Sequence, residues 1–497
     1  MPFPDLAPTL PLLALAFLAA AAGLAYLALA LRALSIGRDE PIRAIRPKGD
    51  AAGELEAELE RFAGLESALA SLIRVPTVSR FEETDIDPEP FAAFPEALAL
   101  AFPVACARFA RHEAGPRAIL YEWAGSDGGA AILASHWDVV PPGDGWTVDP
   151  FGGELRDGFI YGRGAQDTKL TIAGTLAAAE SLLAEGFVPR RSIYFAFGGD
   201  EEIGGRQGAA SIAAKLASMG VHADLIVDEG GPVAIDAVPF ARGPLALVGV
   251  AEKGYADVIV EAPGSGGHAS MPPKRIATVD LAKAVVRLSR RPFPARSTRT
   301  LARMLAALSS LTPFPARAFL ASPKACFPLL ARILSSRSAT DALVRTSTAV
   351  TMLSGSGKEN VLPERASAVV NARILPGETV GSTLGRISRV VAPLVARVAP
   401  GGYACDPSEE TEASGPDWDL ISYAIGRAFP EATPIPYLFC AGTDTKHYRG
   451  LARSTFRFSP MAQDPAEIAR IHAADERISV GNLRRCALFY RSLLERL

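Results

Sequence analysis

Ala130-Ala131-Ile132-Leu133-Ala134-Ser135-His136-Trp137-Asp138 is the stretch on which the reading of the fold turns. Ala130 to Ser135 is a short apolar run, which predicts a buried strand. The run stops on a histidine and a carboxylate. In an extended chain, positions i and i+2 point the same way. A histidine so placed can bind a metal while the nearby carboxylate orients its ring. Alone, a His-x-Asp triplet also arises by chance, and a loop histidine with satisfied hydrogen bonds accounts for it.

The pattern repeats downstream. Thr171 to Glu185 has helical spacing, and Arg191 to Phe197 reads as a strand ending in Gly198 to Gly205. Ala209 to Ser218 reads as a helix, and Asp224 to Val227 as a strand ending at Asp228. Strands alternating with helices predict an α/β domain. Ligands in such folds sit beyond the carboxyl ends of the strands, where these acidic residues fall. The character changes near Leu247. Gly254 to Glu261 alternates as a half-buried strand, followed by the loop Gly264 to Pro273 and a helix over Thr278 to Leu288. Thr348 to Leu353 and Ser367 to Ile374 read as strands, and Val380 to Val391 as a helix with Pro393 beyond it as a stop. This β-α-β-β-α order suits a small inserted α+β domain. Roughly residues 290–345 form an apolar, Pro- and Arg-rich stretch. It reads as helices with a greasy face toward lipid or an apolar substrate, or as ordinary core. The first domain resumes from Asp417 and ends in a helix over Val480 to Leu497. The expected division is 1–35, 36–247, 248–405 as a lid with its apolar insertion, and 406–497.

With 497 residues, 49% of them hydrophobic, the chain can bury a large core. The formal net charge of -3 gives no polybasic surface for nucleic acid. Five scattered cysteines without a CxxC pair indicate neither a disulfide framework nor a thiolate zinc site. From Leu6 to Leu31 no side chain is charged, long enough for a bilayer-spanning helix. A cleaved signal peptide is the competing reading, but the start lacks a basic region. The expectation is therefore an N-terminal transmembrane helix over residues 1–35 in a single-pass membrane protein. Arg32, Arg38, Arg43, Arg46 and Lys48 follow the segment, which would leave the large domain in the cytoplasm.

Three further motifs carry chemistry. Tyr161-Gly162-Arg163-Gly164-Ala165-Gln166-Asp167-Thr168-Lys169 makes a tight loop before a helix. A phosphate loop is the alternative, but no Gly-Lys-Ser/Thr follows. Gly199-Asp200-Glu201-Glu202-Ile203-Gly204-Gly205 sets three carboxylates side by side. They repel one another unless a cation sits among them, although a solvated turn would tolerate them. Asp228-Glu229-Gly230-Gly231 repeats the pattern at the next strand end. One histidine and several carboxylates make an oxygen-rich site suited to zinc and open to manganese or cobalt. A second histidine is needed, with His472 the candidate and His447 its rival. His222 and His112 read as surface residues.

With Gly267-His268-Ala269-Ser270-Met271-Pro272-Pro273 and the segment Arg470-Ile471-His472-Ala473-Ala474-Asp475-Glu476-Arg477, these motifs resemble the M20 family of metallopeptidases over roughly residues 60 to 497. The likeness is to its carboxypeptidase S and N-acyl-amino-acid hydrolase branch. The resemblance implies a zinc-peptidase-like catalytic α/β domain carrying two zinc ions, with an inserted lid. It implies that Asp167 bridges the metals, that His136 and Asp228 hold one, and that Glu202 and His472 hold the other. Glu201 would be the general base, Asp138 would orient His136, and His268 would donate to the oxyanion, from the partner subunit where such enzymes are homodimers. Arg373 and Asn360 match lid positions that contact substrate, and an arginine can grip a carboxylate with two parallel hydrogen bonds. Gly442-Thr443-Asp444 resembles a substrate-side loop. The expected reaction is hydrolysis of an amide beside a free carboxylate in a dipeptide or an N-acyl amino acid. The alternatives are synthesis of N-fatty-acyl amino acids on the same site, or a non-catalytic binding protein on the same fold.

Overall fold

The computed structural model describes residues 23–34, 51–236 and 241–497. An eight-stranded sheet forms the body, in the order Ala110–His112, Ala118–Trp123, Ser192–Gly198, Ala130–His136, Ala223–Ala234, Ala452–Gln463, Leu245–Glu252, Thr433–Phe439. Ala130–His136 runs parallel to both of its neighbours, with His136 opposite Gly198 and Leu133 opposite Val227. Three adjacent strands therefore bring His136, the turn after Gly198 and, within Ala223–Ala234, Asp228 and Glu229 toward one rim. All seven residues of Ala130–His136 are buried, as a strand covered on both faces requires.

Helices cover the two faces. Lys169–Ala184 lies between the sheet and the C-terminal helix Val480–Leu494, so it is apolar almost all round. The two helices approach so closely that a Cβ on Gly174 would stand 2.5 Å from Cys486 Sγ. Ala209–Ser218 covers the other face with Ile212 and Leu216.

The lid is a four-stranded antiparallel sheet, ordered Ser347–Ser354, Arg365–Ile374, Gly254–Pro263, Arg397–Cys405. Helices Ala277–Arg290 and Val380–Val391 cover one face and bury Val258, Val260, Leu281, Val370 and Ile387. On the opposite face Tyr255 Oη donates to Asp257 Oδ2 at 2.9 Å, Asn371 Nδ2 donates to Asp257 Oδ1 at 2.9 Å, and Arg373 stacks 4.7 Å above the Tyr255 ring. The chain passes from body to lid at buried Lys253. Its ammonium donates to the carbonyls of Ala342 and Arg345, both at 2.9 Å, and to Ser347 Oγ at 3.2 Å.

The apolar insertion folds into helices Arg299–Leu311, Ala316–Leu320, Phe327–Leu334 and Ser338–Asp341. Leu301, Met304, Leu305, Leu308 and Leu330 pack on Ile435 and Leu438 of the sheet's last strand, covering an edge that would otherwise be open. The ordinary-core reading thus describes most of it, with Phe314, Leu329 and Ile333 left exposed.

The expected transmembrane helix requires correction. Among the described residues, no helix is long and apolar enough to cross a membrane. Of the uncharged run, residues 6–22 lie outside the described residues. The remainder, residues 23–34, is helical. That helix sits on the insertion: Tyr26 meets the Phe319 ring, Leu29 joins the apolar cluster, and the Ala33 carbonyl accepts from Arg317. Hydropathy alone does not separate a membrane helix from one that packs against apolar protein, and the single-pass anchor and the membrane as a partner are withdrawn with it.

Candidate metal centre

His136 closes its strand fully buried. Its Nδ1 lies 3.0 Å from the carbonyl oxygen of Asp138 and 3.3 Å from Asp138 Oδ1. Both are acceptors, so Nδ1 donates to Asp138 and Nε2 turns to the rim. There it faces Asp167 Oδ1 at 3.0 Å and Glu229 Oε2 at 3.3 Å. His472, at φ 63° in the left-handed region, points Nε2 at Asp167 Oδ2, 2.9 Å away, and at Glu202 Oε1, 3.3 Å away. Two groups result, His136–Asp167–Glu229 and Asp167–Glu202–His472, and in each the offered atoms lie within 4.8 Å of one another. Asp167 belongs to both.

Asp138 does more than orient His136. Its Oδ1 accepts from the Glu201 amide at 3.0 Å, and its Oδ2 from the Glu202 amide at 3.2 Å and Ser79 Oγ at 2.6 Å. The Asp200 carboxylate accepts from the Gln207 and Gly208 amides, both at 2.7 Å, closing the turn behind the pair. The Asp167 loop is tied down by Glu476, whose Oε1 accepts from the amides of Gly164, Gln166 and Asp167 and whose Oε2 takes Arg163 Nη1 at 2.6 Å. Arg163 and Glu476 are 1% and 0% exposed. Removing one partner of such a pair costs about 3–5 kcal/mol. This clamp joins the loop of Asp167 to the segment of His472.

The electrostatics call for cations. Burial pushes Glu202 up to about 7 and Asp228 up to about 6, and it lifts Glu229 well above the carboxylate range. For His136, burial works downward, but the charge of Glu229 and hydrogen bonds to Asp138, Asp167 and Glu229 hold it well above its usual value. Hydrogen bonds to Asp167 and Glu202 raise His472 to about 10. Burial would raise Asp167, yet its bonds to the two histidines pull it far down. The buried Asp228 Oδ2 finds no hydrogen-bond donor among the described residues. A surplus of carboxylate oxygen facing two imidazole nitrogens fits a pair of divalent cations.

Such binding displaces protons, so divalent-cation affinity should rise with pH across about 6 to 10, as Asp228, Glu202 and His472 lose theirs. Metal-free protein should respond oppositely in stability. Between 4.5 and about 7 the unfolded chain releases the Glu202 proton before the folded one does, so folding weakens as pH climbs through that window. Competition titrations and thermal melts, each with and without chelator, check both signs. Affinity flat in pH would contradict this account.

The structure gathers His136, Asp138, Asp167, Glu201, Glu202 and His472 around one rim. Asp228 is buried beside it, but its Oδ1 accepts from the Glu229 amide at 2.9 Å, and it is Glu229 that joins the cluster. His447 joins neither group; its Nε2 meets the Gly204 carbonyl at 2.8 Å. Arg373 lies on the lid above Tyr255, near Gly442 of the expected substrate-side loop. His268 and Asn360 are exposed on the lid, where the Ala269 amide donates to the Asn360 carbonyl at 3.0 Å and His268 Nδ1 lies 2.8 Å from Ser270 Oγ. Sequence reasoning passed over Glu229 and Glu476. Each stands next to a carboxylate in a motif quoted above, which was the available signal.

Comparison with known proteins agrees with this geometry. A model described as peptidase family M20/M25/M40 matches residues 132–496. The N-fatty-acyl-amino acid synthase/hydrolase PM20D1 of Bos taurus is 34% identical over 461 residues, covering 91% of this chain and 92% of that protein. Carboxypeptidase S of Saccharomyces cerevisiae is 27% identical, covering 86% and 83%. Among solved structures, the M20 family metallo-carboxypeptidase Sso-CP2 of Sulfolobus solfataricus superposes with a TM-score of 0.66 at 17% identity, covering 87% of this chain and 98% of that one.

Proposed function

Because this chain belongs to the M20 peptidase family, with a di-metal amidohydrolase site, we propose that it hydrolyses the amide of N-fatty-acyl amino acids bearing a free carboxylate. The observation that carries the reading is Asp167, shared between two histidine–carboxylate groups with Glu201 alongside. The imidazole and carboxylate donors suit zinc best. In the proposal His136, Asp167 and Glu229 hold one ion, with Asp228 behind Glu229 as the other carboxylate that could serve. Asp167, Glu202 and His472 hold the second. When bound, the pair would acidify a shared water and polarise the scissile carbonyl.

The remaining work belongs to the side chains. Glu201 takes the proton from the attacking water and returns it to the leaving nitrogen. Asp138 keeps the His136 tautomer and the Glu201–Glu202 backbone in place. Arg373, on the open face of the lid, is assigned the substrate carboxylate. His268 and Asn360 are assigned to the lid side of the substrate, with His268 as the oxyanion donor.

Support for a fatty acyl group comes from relatives such as the Bos taurus protein, whose name gives both synthase and hydrolase activity. That name also favours a second reading, condensation of fatty acid and amino acid on the same residues. A panel of N-acyl amino acids from acetyl to stearoyl, their carboxamides and dipeptides, offered to the metal-loaded enzyme, tests the proposal. Long acyl chains should be cleaved faster than acetyl, and amidating the carboxylate should lower kcat/KM by about 100-fold or more, the scale of losing a charge-assisted pair. Equal rates across chain lengths, or indifference to amidation, would refute it.

A further inference from the structure

The turn Asp444–Lys446 begins on the last residue of the expected substrate-side loop, and Lys446 has no task in the proposed reaction. Its position is fixed from two directions. Beneath it, Glu252 Oε1 accepts from the Thr443 amide at 3.1 Å. Glu252 Oε2 accepts from Thr443 Oγ1 and Thr445 Oγ1, both at 2.9 Å, and from Arg457 Nε at 2.6 Å. All of these groups are buried. Beside it, the His447 ring is bonded to the Gly204 carbonyl, and a Cβ on Gly205 would stand 2.2 Å from Asp444 Oδ1. The turn is thus seated on the same Gly198–Gly205 segment that carries Glu201 and Glu202.

This seating places the Lys446 ammonium 3.6 Å from Glu201 Oε1, the two side chains being 10% and 13% exposed. Among the described residues Glu201 is its one ion-pair partner. The ammonium also lies 5.9 Å from the ring of Tyr403, on the lid strand Arg397–Cys405. At 3.6 Å the contact is too long for a hydrogen bond. The attraction in a poorly solvated site is still strong enough to choose a rotamer. The Glu201 oxygens are therefore aimed without being occupied, and their lone pairs stay open to a water and to a leaving nitrogen.

We propose that Lys446 is a positioning residue for the reaction: it holds the Glu201 carboxylate in the orientation that receives and returns the proton. The proposal rests on Glu201 being the base. It differs from a contact to the substrate carboxylate, which Lys446 could otherwise offer beside Arg373.

Lys446→Met and Lys446→Arg in the metal-loaded full chain, assayed with a long-chain N-acyl amino acid, separate these roles. Lys446→Met should keep two metal ions per chain and a KM within about twofold, while kcat falls about 10- to 100-fold, the scale of a misplaced catalytic group. Lys446→Arg should recover much of that loss. In a Glu201→Gln background, Lys446→Met should slow nothing further. An unchanged kcat, a raised KM at constant kcat, or loss of metal that arginine does not restore would each overturn the proposal. Failure of the underlying reading looks different: Glu201→Gln would itself stay active, whereas an inactive Glu201→Gln beside a fully active Lys446→Met sinks the role of Lys446 alone.

Discussion

Glu201→Gln should leave two metal ions per chain and lower kcat by about 10²- to 10⁴-fold, the range a general acid–base group contributes. The Glu201 side chain belongs to neither metal group, and its backbone amide, bound to Asp138 Oδ1, is untouched by the substitution. Glutamine fills the same space but cannot accept the water's proton. It also leaves the Lys446 ammonium beside a neutral amide, so a modest loss of stability should accompany the lost turnover. Elemental analysis with steady-state kinetics checks both. Substantial turnover in this variant would remove Glu201 from the role of base.

The second large effect concerns the neighbouring carboxylates at 228 and 229. Glu229→Gln should cost the protein one of its two metal ions, with affinity at that position falling more than about 100-fold, beyond what losing a supporting partner does. Glu229 Oε2 stands 3.3 Å from His136 Nε2, whereas one Asp228 oxygen is already engaged by the Glu229 amide. Asp228→Asn should therefore retain both ions. Metal counts on the two variants decide the matter, and if Asp228→Asn is the one that loses an ion, the ligand is Asp228 as the family likeness implies.

The strands and helices that carry chemistry were legible because their periodicity ends on charged residues. Ala209–Ser218 and Val380–Val391 match their expected spans, and Ala130–His136 and Ser192–Gly198 shift by a residue. The strand after Ala223 runs to Ala234, well past the expected stop at Val227. Its Asp-Glu-Gly-Gly breaks the apolar run, but long pairing with Ala452–Gln463 carries the strand through. Tertiary pairing also makes strands of Thr433–Phe439, with its two prolines, and Arg397–Cys405, with its adjacent glycines, neither of which announces itself locally. At the site, motif positions gave the two histidines and the shared aspartate. Of the two adjacent carboxylates they pointed to Asp228, whereas Glu229 is the one grouped with His136 and Asp167, on a strand that continues past Val227 to Ala234. Glu476 and Lys446 act through residues hundreds of positions away or in a separate turn, a relation that no local pattern contains.

The clamp between Arg163 and Glu476 spans 313 positions of chain. During synthesis the loop that it braces leaves the ribosome long before its brace, by roughly a quarter of a minute to a minute at ordinary elongation rates. Until then a nascent chain carries the Asp167 loop without Glu476 to brace it, and His136, Asp167 and Glu229 without the second group that His472 completes.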